Sequence, residues 1–187
     1  VGLPLSGVRT RLVDDDGAPV PHDGETIGRL QVRAPTMFDG YLNRPDATAE
    51  TIGADGWLHT GDVAVAGPGG TMRLVGRMKE MYKSGGYNVY PPEIEQVIGR
   101  YDDVVQVVVV GAPDPLWESV GVAFIVVGSR EDFALADFAA YLRSELANYK
   151  VPKRVELLDA MPQLPNGKVD RVGLRKRAEA LLASDDR

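Results

Sequence analysis

Two valine-rich runs constrain this chain more than any other feature. Val104 to Ala112, interrupted by Gln106, and Val120 to Val127 are continuous apolar stretches bounded by turn residues, with Pro113-Asp114-Pro115 as a loop between them. Runs of this length and composition read as buried strands, since a strand with one wet face alternates apolar and polar residues. Amphipathic helices flank them. Ile94, Val97, Ile98 and Tyr101 recur at i, i+3, i+4 and i+7 behind Pro91-Pro92, and Leu135, Phe138, Ala139, Leu142 and Leu146 fall on one face of a second helix. A strand near residues 155–158 and a helix from Arg171 to about Leu182 complete the pattern, and EMYKSGGYNVY precedes it as a strand, a glycine turn and a strand. The order β-β-α-β-β-α-β-α after Arg77 specifies a compact α+β domain.

The preceding region has a different texture. Residues 8–13 and 29–33 alternate in polarity, PDATAETI behind Pro45 is a short helix, and WLHTGDVAVAG and TMRLVG are two strands joined by Gly67-Pro68-Gly69-Gly70. The expectation is a small β-barrel or sheet over residues 1–78, then an α+β domain over residues 79–187.

Composition excludes several chemistries. The 187 residues contain no cysteine, so disulfides, thiolate nucleophiles and cysteine-ligated zinc are ruled out, and the two histidines, His22 and His59, make a protein-built metal site a poor expectation. The net charge of −6 argues against nonspecific nucleic-acid binding. Residues 143–187 hold 10 of the 21 basic groups and 7 of the 27 acidic ones, which reads as a solvated helix surface. The apolar runs are too short to span a bilayer and no basic-then-apolar leader opens the sequence. The chain reads as a soluble, cytoplasmic protein.

Three segments could carry chemistry. In Thr60-Gly61-Asp62 a glycine lets a strand turn beside a carboxylate, a group that accepts well from the adjacent hydroxyls of a sugar; the plainer reading is an aspartate in a turn. In residues 76–95, Arg77 and Lys83 precede Gly85-Gly86, an arrangement that can set cations beside phosphates while bare backbone approaches a ligand. The plainer reading there is a hairpin whose glycines supply positive φ. In Leu164-Pro165-Asn166-Gly167-Lys168 an Asn-Gly turn presents a compact movable charge suited to a developing oxyanion, or simply an exposed lysine.

The three occur together and in order, and in that form the chain resembles the adenylate-forming (AMP-binding) superfamily, more specifically its fatty-acid and aryl-CoA ligases. The resemblance runs through Gly28-Arg29-Leu30-Gln31-Val32, Gly40-Tyr41-Leu42-Asn43-Arg44-Pro45 with Thr48 and Glu50, then GWLHTGD, GRMKEMYKSGGYNVYPPEIE and PNGKVDR. It implies that Asp62 holds the ribose hydroxyls of ATP with Arg77 close by, that Lys79 is a hinge, and that Lys83 and Asn88 approach the nucleotide or the CoA thiol route. Asn88 stands where relatives often carry Gln or Arg. Gly85 and Gly86 would line a pantetheine tunnel, and Lys168 would bridge the substrate carboxylate and the α-phosphate. The implied cofactors are ATP, as Mg-ATP, and CoA; the implied partners are a fatty or aryl carboxylic acid and an N-terminal adenylation domain. The resemblance places the ATP-phosphate loop, the magnesium ligands and the acyl pocket in that other domain, so this portion by itself is expected to be inactive. A non-catalytic module that binds nucleotide or CoA, or docks to a partner, is the alternative.

Overall fold

A computed structural model describes residues 2–185 of the chain, which divides into two compact units, Val1–Lys79 and Glu80–Arg187.

Among the described residues the first unit holds an antiparallel four-stranded sheet in the order β1-β2-β3-β4, with β1 Arg9–Val13, β2 Gly28–Arg33, β3 Leu58–Ala66 and β4 Met72–Arg77. The sheet is open; of the barrel or sheet expected, the structure has the sheet. In β1, Leu12, which pairs with Leu30, and Val13 are buried, while Arg9 is exposed. A short helix, α1 Pro45–Thr51, begins at a proline whose missing N–H costs nothing in a first turn. The core is small: Leu12, Ala64 and Ala66 are buried, with Val20, Leu30 and Met72 packed on them. Leu3, Leu5 and Leu42 stay largely exposed.

The second unit begins with a hairpin, β5 Tyr82–Ser84 and β6 Tyr87–Val89, whose connecting Gly85 and Gly86 have φ of 56° and 84°. These left-handed angles are what a two-residue turn matched to strand twist requires. Helix α2 Pro91–Ile98 follows, then β7 Val104–Asp114, β8 Glu118–Val127, α3 Leu135–Glu145, a single 3-10 turn Asn148–Lys150, β9 Arg154–Leu157 and α4 Arg171–Asp185. The sheet runs β6-β5-β8-β7, with β9 parallel to β8.

From Val107 to Ala112 and from Val120 to Val127 the runs are apolar because both faces of β7 and β8 are covered there, whereas Val105 and Gln106 at the start of β7 are exposed. Val109, Ala123 and Ile125 point into a core with Ile94, Ile98, Phe138 and Leu142 of α2 and α3. Their neighbours Val108, Val110, Val122 and Phe124 point into a second core with Leu174 and Ala178 of α4. Strand side chains alternate in direction, so a helix on each face demands apolar residues at every position.

Two expectations are corrected. Pro113 and Asp114 are not loop: β7 continues through them, pairing with Ser119 and Glu118. The turn is confined to 115–117 because Asp114 Oδ1 accepts the N–H groups of Leu116 and Trp117, both at 2.9 Å, closing the hairpin within three residues. Leu135, expected on the buried face of α3, opens the helix and is 48% exposed.

Candidate functional site

In the first unit the Thr60-Gly61-Asp62 segment interrupts the ladder. Arg29 pairs with Val63 and Gln31 with His59, so the intervening β3 residues bulge from the pairing, and Gly61 takes φ of 75°. A bulge re-aims the side chains beside it, and a positive φ is what a glycine accommodates without strain. The bulge is pinned on three sides: Thr60 Oγ1 donates to the Leu30 carbonyl at 2.9 Å and accepts the Asp62 N–H at 3.0 Å, while the Met78 N–H donates to the Gly61 carbonyl at 2.9 Å. Asp62 is thereby set opposite Arg77 of β4, whose Nε lies 3.0 Å from its Oδ1. The carboxylate is 23% exposed and lines a recess of about 360 Å³ with Arg29, His59, Gly61 and Met78. Partly covered and braced by a cation, it suits a sugar diol. Lys79 is exposed and sits in the turn after β4.

In the second unit Lys83 and Asn88 face each other across the hairpin, both exposed. Gly85 and Gly86 have different surroundings. The Gly85 N–H donates to the Trp117 carbonyl at 3.0 Å, and a Cβ on Gly85 would lie 2.8 Å from the Trp117 ring, whereas one on Gly86 would meet open space. Trp117 was not legible as a site residue in the sequence, because nothing local relates it to a glycine more than thirty positions earlier. Beside it opens a pocket of about 270 Å³ whose walls include Ser84, Trp117, Arg143, Tyr149 and Lys153. Tyr149 stacks on Tyr87 of the hairpin with ring centroids 4.6 Å apart.

Lys168 stands on a closed loop. Gln163 bridges to Val169, the Leu164 N–H donates to the Lys168 carbonyl at 2.7 Å, and the Gly167 N–H donates to the Leu164 carbonyl at 2.9 Å with Gly167 at φ of 78°. Asn166 Oδ1 accepts the Lys168 N–H at 3.1 Å. The side chain is exposed, and no ion pair to it occurs among the described residues. A flexible charged stem thus projects from a rigid base.

Among the described residues no group of three or more His, Cys, Asp or Glu is placed to hold a metal ion, and no helix is long and apolar enough to cross a membrane.

Comparison with known proteins converges on one group. Residues 93–168 match the model of the AMP-binding enzyme C-terminal domain. The chain is 41% identical over 176 residues to a feruloyl-CoA synthase of an Amycolatopsis species, covering 94% of this chain and 35% of that protein. It is 43% identical over 180 residues to a long-chain-fatty-acid–CoA ligase of Salmonella typhimurium, covering 95% and 31%. Among solved structures, ATP-bound MatB of Rhodopseudomonas palustris superposes with a TM-score of 0.88 at 32% identity, covering 97% of this chain and 36% of that one. The amide bond synthetase McbA of Marinactinospora thermotolerans gives 0.87 at 34% identity, covering 96% and 36%. The chain therefore spans about a third of the length of the curated relatives it matches.

Proposed function

The chain belongs to the adenylate-forming enzymes, with residues 93–168 as their AMP-binding C-terminal domain, and from that premise we propose that it is the C-terminal part of an ATP-dependent carboxylate–CoA ligase. In such a ligase a carboxylate attacks the α-phosphate of ATP with loss of pyrophosphate, and the CoA thiol then attacks the acyl-adenylate and releases AMP. The substrate is a fatty or aryl acid, the classes named for two of the relatives that match over almost the whole chain. Reactants of this kind put the enzyme in the cytoplasm.

The observation that carries the reading is Lys168: an exposed ammonium without an ion-pair partner among the described residues, on a loop closed by four hydrogen-bonded or bridged pairs. A cation kept unpaired while its backbone is held tightly is pre-organised for a charge that arrives with substrate. Lys168 stabilises the negative charge shared by the carboxylate and the α-phosphate. Asp62 accepts from the ribose hydroxyls, and Arg77 holds the carboxylate in its orientation. Lys83 and Asn88 flank the turn where Gly85 and Gly86 let the pantetheine arm pass without side chains in its way. The neighbouring pocket, with aromatic Trp117 and Tyr149 and cationic Arg143 and Lys153, suits a phosphorylated nucleotide. Lys79 is the hinge about which the second unit turns between the two half-reactions. Magnesium, the ATP-phosphate contacts and the acyl pocket belong to the remaining two thirds of the ligase, so the 187-residue chain alone does not turn over.

The test is Lys168→Ala in an intact ligase that carries this chain as its C-terminal third, assayed by carboxylate-dependent pyrophosphate release and by acyl-CoA formation from supplied acyl-adenylate. Pyrophosphate release falls by about 10²- to 10³-fold, the usual loss for one oxyanion-stabilising group, and the second step is unaffected. Undiminished pyrophosphate release would sink the assignment of Lys168. Absence of both activities in the unsubstituted protein would favour a module that only binds nucleotide or CoA.

A further inference from the structure

The loop that bears Lys168 needs an anchor, and the structure has one that the proposed chemistry leaves unused. Asp170 ends the loop by donating its N–H to the Pro162 carbonyl at 2.9 Å, and its Oδ1 caps α4 by accepting the Gly173 N–H at 2.8 Å. The loop and the first turn of α4 are thus one body, and Arg171 is its first helical residue.

The Arg171 guanidinium joins that body to three other segments. Its Nη2 donates to both carboxylate oxygens of Glu95 on α2, at 3.0 and 3.3 Å, and its Nη1 donates to the Val109 carbonyl in the middle of β7 at 3.3 Å. Glu95 Oε1 also accepts the Val109 N–H at 2.9 Å, so the carboxylate and the peptide group it straddles are both tied to the same fork. On its remaining side Arg171 Nε lies 3.8 Å from Oε2 of Glu80, the residue that follows Lys79. The side chains are 30% exposed for Arg171, 17% for Glu95 and 28% for Glu80, so the cluster is shielded enough for its geometry to be held and wet enough to rearrange. A planar fork with several partners fixes direction as well as distance, which a lysine at the same place does not.

We propose that Arg171 is a positioning residue for the adenylation half-reaction: held by Glu95, the Val109 peptide and Glu80, it sets where the Lys168 loop stands on the domain and links that loop to the segment beside Lys79. This rests on the reading of Lys168 given above. It goes beyond that reading in naming a residue that touches neither nucleotide nor acid and acts only on the first step.

Arg171→Lys keeps the charge and loses the fork. In hydrogen exchange on the 187-residue chain, the amides of Leu164, Gly167 and Asp170 exchange at least tenfold faster in Arg171→Lys, while those of α3 and the β7–β8 ladder keep their protection. In the intact ligase kcat for carboxylate-dependent pyrophosphate release falls by about 10- to 100-fold, the cost of misplacing a catalytic group by around an ångström. The KM values and acyl-CoA formation from supplied acyl-adenylate are unchanged. Should Arg171→Lys fail to fold, Glu80→Gln removes only the 3.8 Å arm, and the same selective loss, smaller in size, is its expected result. Unchanged loop exchange, or a parallel fall in both half-reactions with a matching loss of thermal stability, overturns the proposal, since Arg171 would then merely hold α4. Lys168→Ala in the same ligase tells the two ideas apart: if it leaves pyrophosphate release intact the role of Lys168 fails, while the exchange result still decides whether Arg171 holds the loop.

Discussion

Tyr82 offers a quantitative trial of how closely the second unit is packed. Its ring lies over the cross-strand pair Gly111 and Gly121, where any side chain would overlap it. A Cβ on Gly111 would come within 2.5 Å of Tyr82 Cβ and Cγ, and one on Gly121 would press on Tyr82 Oη. That hydroxyl is buried and has no hydrogen-bond partner among the described residues. Leaving such a group unsatisfied costs about 1–3 kcal/mol, so Tyr82→Phe stabilises the unit by about 1 kcal/mol. Gly121→Ala in the tyrosine protein costs about 2 kcal/mol, the usual range for overpacking. In the phenylalanine protein the nearest atoms become the ring Cζ at 3.4 Å and Pro152 Cα at 3.6 Å, ordinary contacts, and the alanine is then close to neutral. The cycle therefore has a coupling of about 2 kcal/mol. The assay is urea unfolding followed by Trp117 fluorescence in a Trp57→Phe background, because the chain has two tryptophans, one in each unit, and a single reporter isolates the second unit's transition. Costs that add to within about 0.5 kcal/mol, or a Tyr82→Phe protein less stable by more than about 1 kcal/mol, would refute the packing argument.

The same phenol sets an alkaline limit. Burial pushes Tyr82 above its ordinary pKa of 10.0, so the unfolded chain loses the proton first; its contribution is complete below pH 10 and declines above it, at up to about 1.4 kcal/mol per pH unit. Comparing the unsubstituted protein with Tyr82→Phe between about pH 9 and 11 reads that slope, and parallel curves would contradict it. At the hairpin, Gly86→Ala costs about 1 kcal/mol for its left-handed backbone, while Gly85→Ala costs about 2–3 kcal/mol because Trp117 must also move; equal midpoints in urea would remove Trp117 from the account. Asp114→Ala costs about 2 kcal/mol by stranding the Leu116 and Trp117 N–H groups, whereas Asp114→Asn keeps an acceptor, loses the partly exposed Lys153 pair at 2.5 Å and costs less than about 1 kcal/mol. Lys153, chiefly by its hydrogen bond, holds the Asp114 carboxyl below the usual range, so the difference between the unsubstituted protein and Asp114→Asn is present at neutral pH and disappears as acid protonates the group. A difference that did not shrink at all as the pH was lowered below the usual carboxylate range would be the contrary result.

What the sequence by itself determined are the features whose physics is contained within a few residues. The valine runs could satisfy only strands covered on both faces, the 3.6-residue spacing in α2 predicted a helix with Ile94 and Ile98 inward, and Gly85, Gly86 and Gly167 are turn positions where L side chains are strained. The α+β class followed from these, whereas the roles expected of Asp62, Arg77, Lys83, Gly85, Gly86, Asn88 and Lys168 came from the resemblance of their segments to a known family, since each segment by itself also has a plainer local reading. Pro113 shows the limit of such reading: taken as loop, it lies in β7 because the turn is closed by the Asp114 carboxylate and needs only residues 115–117. The tertiary structure alone decided what depends on register and layering. Arg171 meets Glu95 across 76 positions only because α2 and α4 pack against β7, on opposite faces of its sheet. Trp117 reaches Gly85 because β5 joins β8 at Ser84 and Glu118, and Tyr82 finds room because Gly111 and Gly121 fall opposite each other in the ladder. A backbone preference is met or relieved within its own turn of chain, whereas an ion pair or a ring seated on two glycines exists only after distant strands have been set side by side.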